Sequence, residues 1–235
     1  MTQHISKSNG KLWVIFIVLL PIFLFGLFYL YTKQARTDLE TMKYPRKMFS
    51  IGLDTITEGT FKRIDTVYHE IPDFSFTNQY GQTVTKEQFP DKILIVDFFF
   101  TSCPTICPTM SEQLARVQSQ LIRDDRVVIV SYTIDPTRDT PEKLKAYGEE
   151  YGAVPGKWQF LTGDKEEIYQ LALKGYKISA LDEGGDEEHD GFVHTDRFAV
   201  VDPNWNIRGY YTGTSEHDVN IMLGDVLLLL EEFKR

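Results

Sequence analysis

The stretch at residues 93–122 reads ILIVDFFFTSCPTICPTMSEQLARVQSQLI and contains the strongest secondary-structure pattern of the chain. Its first eight residues, 93–100, are almost all apolar, which is typical of a strand that is buried on both faces of a sheet. Its last part, 109–122, has the pattern of a helix. The turn between them carries Cys103 and Cys107. The order strand, turn, helix predicts that both cysteines lie where a buried strand ends and a helix begins.

Strands and helices are also predicted on either side of this stretch. Before it, residues 71–85 (IPDFSFTNQYGQTVT) form two alternating runs around a turn, the pattern of a β-hairpin. After it, further segments are predicted: a strand at 127–134, a helix from Pro141 with Thr140 as its N-cap, a strand at 158–161, a helix at 165–176, an acidic loop at 182–191, strands at 197–201 and 207–211, and a helix at 216–233. This order predicts an α/β fold with a mixed sheet flanked by helices, in the arrangement of thioredoxin-like folds.

An uncharged apolar segment lies near the N-terminus. Residues 12–31 read LWVIFIVLLPIFLFGLFYLY, and about 20 apolar residues are enough to cross a bilayer. A cleaved signal peptide is the alternative, but residues 31–35 (YTKQA) make a poor cleavage site. We therefore expect one retained N-terminal transmembrane helix. Two Lys or Arg residues precede it and five follow closely, which by itself favours a cytoplasmic domain, although long domains cross membranes largely regardless of charge.

Four segments follow from these patterns. They are a short tail at 1–11, the transmembrane anchor at 12–31, a tether with an irregular or short-stranded lead-in at 32–66, and the globular domain at 67–235. The chain has 25 Lys and Arg against 34 Asp and Glu, a net charge of −9. Because residues 1–31 carry two lysines and no acid, the remainder has a net charge of −11. This acidic balance argues against nucleic acid as a partner.

The chain has two cysteines, and their position favours chemistry over structure. A helix N-terminus carries partial positive charge and lowers a thiol pKa, which favours the thiolate. Thiolate is the nucleophile of disulfide exchange and a ligand for soft metals. Pro104 and Pro108 stiffen the turn. A structural disulfide is the weaker alternative, because so short a loop restrains little of the unfolded chain.

Three segments resemble, in order and spacing, the blocks of the Sco/SenC family of copper-binding assembly proteins. They are FFFTSCPTICPTM (98–110), SYTIDPTRDTPEKLKAY (131–147) and GFVHTDRFAVVDP (191–203), and the resemblance covers about residues 70–233. It implies that Cys103, Cys107 and His194 bind a copper ion, Cu(I) or Cu(II). It also implies that Asp135 lies near the site as a supporting residue. The surrounding run 135–141 (DPTRDTP) is expected mainly to turn the chain and cap the next helix.

The function implied by the resemblance is that of a membrane-anchored copper metallochaperone for the CuA centre of cytochrome c oxidase. The implied partners are the copper-bearing subunit of that oxidase and a thiol reductant protein that keeps the cysteine pair reduced. The globular domain is then extracytoplasmic, on the periplasmic side of the membrane, with a single membrane pass. Thiolates suit Cu(I) and an added imidazole also suits Cu(II), whereas a structural zinc site needs four ligands.

Two other functions stay open. One is a thiol-disulfide oxidoreductase or peroxidase in which Cys103 attacks and Cys107 resolves, and it is the enzyme activity to expect if the protein is an enzyme. The other is a redox or copper sensor. The CxxxC spacing, in place of the CxxC of redox thioredoxins, favours metal binding. His4, His69 and His217 are expected to be solvated, and His189 is expected to stay away from the metal.

Overall fold

The computed structural model describes residues 20–33, 44–58, 61–178 and 195–234. The chain divides into two compact units, Met1–Tyr44 and Pro45–Arg235. In the first, residues 20–33 form helix α1, whose apolar side chains are largely exposed. No helix within the described residues combines the length and the apolar character needed to cross a membrane. Residues 12–19 of the predicted anchor lie outside the described part of the chain.

The second unit is built on nine strands and four further α-helices among the described residues. The strands are β1 (Ser50–Glu58), β2 (Phe61–Tyr68), β3 (Ser75–Asn78), β4 (Thr83–Thr85), β5 (Ile93–Phe99), β6 (Val127–Thr133), β7 (Trp158–Thr162), β8 (Arg197–Val201) and β9 (Ile207–Thr212). The helices are α2 (Ile106–Gln120), α3 (Pro141–Glu150), α4 (Lys165–Gln170) and α5 (Glu216–Glu232), with a 3-10 turn at Lys86–Gln88 and a π-helical turn at Leu171–Gly175 that continues α4.

Seven of the strands form one mixed sheet in the order β4-β3-β7-β6-β5-β8-β9. Strands β5, β6 and β7 run parallel at its centre, and β3, β4, β8 and β9 pair antiparallel around them. All seven residues of β5 and of β6 are buried, which agrees with the continuous apolar runs of the sequence. The predicted mixed α/β sheet flanked by helices is confirmed.

Helices cover both faces of this sheet. Side chains of β5 alternate between two cores, so that Ile95 and Phe99 lie in one and Leu94 and Val96 in the other. The first core is completed by α2, α3 and α5, and the second by α4 and its π-helical turn. Both cysteines belong to the first core. Because β5 and β6 are parallel, with Phe99 opposite Thr133, the turns that follow them meet at one edge of the sheet.

The segment before the sheet is more regular than the sequence predicted. Strands β1 and β2, of nine and eight residues, form a separate antiparallel pair in place of an irregular or short-stranded lead-in. Ile51, Leu53 and Ile64 of this pair are exposed. These three apolar side chains therefore do not mark a core face. At the base of the pair, Met48 N donates to Ile207 O and ties the chain to β9, whereas His69 N donates to Phe49 O and joins the two segments that flank the pair.

Candidate functional site

The two cysteines lie on the turn between β5 and α2. Cys103 is in the turn itself, where its N–H donates to Phe100 O at 3.2 Å, and Cys107 is the second residue of α2. Both are free thiols and both are buried, with 7% and 3% of their surface exposed. This is the strand-to-helix position predicted from the sequence. The first turn of a helix has N–H groups without helical partners, and here they face a sulfur atom.

The environment of Cys103 favours the thiolate. Burial raises the pKa of this thiol. Hydrogen bonds with the backbone N–H groups of Cys107 and Thr105, with the Cys107 thiol and with the Thr105 hydroxyl lower the pKa, and together they outweigh burial. The net result is a Cys103 pKa below its usual value. Thr105 Oγ1 lies 3.7 Å from the Cys103 sulfur. Thr105 is the N-cap residue of α2, yet its side chain makes no capping hydrogen bond and is free to face the sulfur.

The environment of Cys107 favours the protonated thiol. Burial raises the pKa of Cys107 far above its usual value, and a hydrogen bond with the Phe100 backbone offsets only part of this effect. The hydrogen bond with Cys103 and the charges of Cys103 and Asp97 raise it further. The Cys107 thiol therefore keeps its proton more readily than the Cys103 thiol does. The pair is asymmetric, because the pKa of one thiol is lowered and the pKa of the other is raised.

Asp97 is a residue of this site that the sequence analysis missed. It lies in the middle of β5 with 2% of its surface exposed, and alternation places it on the face of Ile95 and Phe99, the face of the cysteines. Its Oδ1 accepts a hydrogen bond from Ser131 Oγ at 2.5 Å, and Ser131 Oγ accepts one from Trp158 Nε1 at 2.9 Å. Burial raises the pKa of Asp97 to about 7, against the hydrogen bond from Ser131. A single acid inside the apolar run 93–100 was the signal available.

The turn between β6 and α3 lies at the same edge of the sheet as the cysteine turn. Thr140 caps α3 as predicted, with its side chain accepting from Lys143 N at 3.5 Å and Pro141 in the first position. Asp135 is engaged within its own turn. Its Oδ1 accepts from Thr137 Oγ1 at 2.9 Å, and Arg138 Nε lies 2.5 Å from its Oδ2 without the alignment of a hydrogen bond.

His194, the third residue implied as a copper ligand, lies outside the described residues, as does His189. Strand β8 pairs antiparallel with β5, with Ala199 opposite Val96, so its first residues lie toward the edge at which β5 ends. Thr195, the first described residue after the gap, therefore lies toward the edge of the sheet at which the cysteine turn follows β5. Among residues 20–33, 44–58, 61–178 and 195–234, no three or more His, Cys, Asp or Glu side chains are grouped closely enough to hold a metal ion.

His69 and His217, which were both expected to be solvated, lie within the described residues. His217 is exposed in the first turn of α5, as expected. His69 differs, because it is half-buried and its Nε2 donates to Gly175 O at 2.7 Å. The difference arises from the π-helical turn at Leu171–Gly175, whose last carbonyl faces the chain just before β3. This contact gives His69 a structural role.

Comparison with known proteins identifies relatives across most of the chain. The family model SCO1/SenC matches residues 63–226. A SCO1/SenC family lipoprotein from Bacillus anthracis superposes with a TM-score of 0.60 at 28% identity, covering 68% of this chain and 95% of that one. BsSco, described as a member of the Sco family of cytochrome c oxidase assembly proteins with a disulfide switch, gives a TM-score of 0.58 at 31% identity, covering 68% and 93%. Arabidopsis thaliana ScoI with copper bound gives 0.53 at 27% identity, covering 68% and 98%.

Proposed function

Because the chain belongs to the SCO1/SenC family, we propose that it carries copper on Cys103 and Cys107 for the assembly of cytochrome c oxidase. The observation that carries this proposal is the pair of free, interacting thiols on one turn at the sheet edge. Among the relatives, one structure contains copper and another belongs to a protein described by its role in oxidase assembly.

The two thiols suit a soft metal ion. Thiolate sulfur selects Cu(I), and the imidazole of His194, as the third ligand, makes the site suitable for Cu(II) as well. Cys103 already favours the thiolate, whereas Cys107 has to release its proton when it becomes a ligand. Copper uptake therefore releases a proton from the buried member of the pair. A site with three ligands can pass its ion to another protein by exchange of ligands, with the copper-bearing subunit of the oxidase as recipient and its CuA centre as destination.

The same proposal includes a membrane position. Residues 12–31 form the anchor, and the unit Pro45–Arg235 lies on the extracytoplasmic side in a single-pass arrangement. A relative of the same family is a lipoprotein. Because that side of the membrane is oxidising, the pair needs a thiol reductant protein as a second partner before it can bind copper. A disulfide between Cys103 and Cys107 offers no thiolate ligands. Asp135 supports the turn beside the site without acting as a ligand.

Copper titration of the reduced full-length chain in mild detergent tests the proposal. We expect one Cu(I) per chain in competition with a chromophoric chelator. Cys103→Ser and Cys107→Ser each weaken binding by about 100-fold or more, since loss of a ligand costs at least as much as loss of a residue that supports one. His194→Ala weakens binding of Cu(II) more than of Cu(I). His217→Ala, at an exposed position on α5, is the matched control and leaves both affinities unchanged.

A thiol-disulfide oxidoreductase is the second candidate, and the asymmetry of the pair favours it. A thiolate at Cys103 is suited to attack, and a protonated, buried Cys107 is suited to resolve a mixed disulfide. The variants used for the copper titration also distinguish the copper carrier from the oxidoreductase. Unchanged copper affinity of His194→Ala, together with strong reductase activity of the parent chain, would overturn the copper proposal in favour of the enzyme.

A further inference from the structure

Asp139 is a fully buried carboxylate with three hydrogen-bond donors around it. It is the residue before the N-cap of α3 and has none of its surface exposed. Its Oδ2 accepts from Thr101 N at 3.0 Å and from Thr133 Oγ1 at 2.5 Å, and its Oδ1 accepts from Thr101 Oγ1 at 2.5 Å. Burying a carboxylate is costly unless donors replace its lost water. The chain supplies those donors from two different turns.

The two turns joined by Asp139 are the cysteine turn and the turn after β6. Thr101 lies beyond the end of β5 and two residues before Cys103, so its N–H has left the ladder of the sheet. Thr133 is the last residue of β6, and its Oγ1 also accepts from Asp135 N at 3.0 Å. A chain of hydrogen bonds therefore runs from the backbone of one turn, through Thr133 and the Asp139 carboxylate, to the backbone of the other.

We infer that Asp139 is a positioning residue for the cysteine pair, holding the Phe100–Cys103 turn so that the Cys103 sulfur faces Cys107. The inference rests on the proposed role of the two thiols and adds a residue to it. Asp139 touches neither a ligand nor a substrate, since its carboxylate is buried and is occupied by the two threonines. Asp135, by contrast, accepts a hydrogen bond from Thr137 Oγ1 and forms an ion pair with Arg138 inside its own turn.

A consequence can be measured without copper. In glutathione buffers, Cys103 and Cys107 form a disulfide as each thiol loses one proton and one electron, and one glutathione disulfide becomes two glutathione thiols. The equilibrium constant depends on how well the folded turn presents the two sulfurs to each other, because disulfide geometry is narrow. A turn released from Asp139 presents them less often, so the disulfide becomes easier to reduce.

The experiment compares Asp139→Leu with the parent, both as the full-length chain in mild detergent. Leucine keeps the branched shape and removes all three acceptor contacts. We expect the equilibrium constant for disulfide formation to fall by about tenfold, which corresponds to about 30 mV for a two-electron couple. Asp139→Asn, which keeps one acceptor oxygen for Thr101 N and Thr133 Oγ1, restores the constant to within about threefold of the parent.

Asp202→Leu is the matched control. Asp202 is buried to the same degree and accepts from Asn204 N, Asn206 N and Arg208, but it follows β8 at the opposite edge of the sheet. We expect it to lower thermal stability and to leave the disulfide equilibrium unchanged. If Asp139→Leu also lowers stability while its equilibrium constant stays within twofold of the parent, Asp139 is purely structural and the inference fails.

A milder pair of variants decides the matter if Asp139→Leu does not fold. Thr101→Val removes one hydrogen bond to Asp139, whereas Thr137→Val removes a similar threonine–aspartate bond that stays within its own turn. We expect about a threefold fall in the constant for Thr101→Val and none for Thr137→Val. Equal effects of the two would overturn the inference. Since none of these readings uses copper, failure of copper binding and failure of this inference are separate results.

Discussion

Cys103 and Cys107 are four residues apart and lie in opposite environments. The first is in a turn, where N–H groups of the helix start and a threonine hydroxyl surround its sulfur. The second is inside the helix, where burial and the nearby charges of Cys103 and Asp97 act on its thiol. One pKa is lowered and the other is raised. Donors and burial around each sulfur, rather than proximity to a helix start alone, therefore determine which thiol has the lower pKa.

The largest expected effect is on the relative reactivity of the two thiols. In the reduced protein at pH 7, we expect iodoacetamide to modify Cys103 at least about tenfold faster than Cys107, because the thiolate is the nucleophile and the pKa of Cys103 is lowered while that of Cys107 is raised. A time course of peptide mass spectrometry measures the ratio. In Cys103→Ser, Cys107 should react faster than in the parent, since one of the charges that raises its pKa is gone. Equal alkylation rates of Cys103 and Cys107 in the parent would show that the pKa values of the two thiols do not differ.

The next effect is on the pH dependence of stability and comes from Asp97. This carboxyl has an ordinary pKa of 3.8 when unfolded and about 7 in the fold, so the folded state binds more protons between these values. Stability therefore falls as the pH rises from about 4 to about 7, by about 4 kcal/mol at most. Asp97→Asn removes this loss, so its advantage over the parent should grow through the same window.

Urea unfolding of the fragment 45–235 at several pH values measures that difference. Taking the difference between variant and parent cancels the carboxylates whose pKa is lowered, such as Asp124, which stabilise the fold as the pH rises. The same variant should also lower the pKa of Cys107, because one of the negative charges that raise it is lost. A difference that is constant from pH 4 to pH 8 would show that Asp97 stays ionised throughout.

The smallest effect separates two threonines at the starts of two helices. Thr105 faces the Cys103 sulfur and caps nothing, whereas Thr140 caps α3. Thr105→Val should raise the Cys103 pKa, slow its alkylation less than about tenfold and change stability by less than about 0.5 kcal/mol. Thr140→Val should cost about 1 kcal/mol and leave Cys103 unchanged. Alkylation rates and urea unfolding are measured for both variants. An equal loss of stability in Thr105→Val and Thr140→Val would contradict the different roles assigned to the two threonines.

The central elements could be predicted because their apolar patterns are strong. The runs 93–100 and 127–134 became β5 and β6, and the cap at Thr140 was found from its sequence signature. The β1–β2 pair was not predicted as two long strands, since Ile51, Leu53 and Ile64 are exposed and give no pattern of a buried face. His69 was expected in solvent, because its partner is a carbonyl 106 residues away in a π-helical turn that no local pattern indicates.

The residues available for thiol chemistry follow from the sequence, since Cys103 and Cys107 are the two cysteines of the chain, and so does the family, which three separated motifs indicate. The folded structure, by contrast, determines which thiol has the lowered pKa and which carboxylates act on the pair. The charge of Asp97 acts on Cys107 because β5 packs against α2. Asp139 accepts a hydrogen bond from Thr101 N because the turns after the parallel strands β5 and β6 lie side by side. The physical reason is that a pKa and the orientation of a turn depend on burial and on donors brought together in space, whatever their separation along the chain.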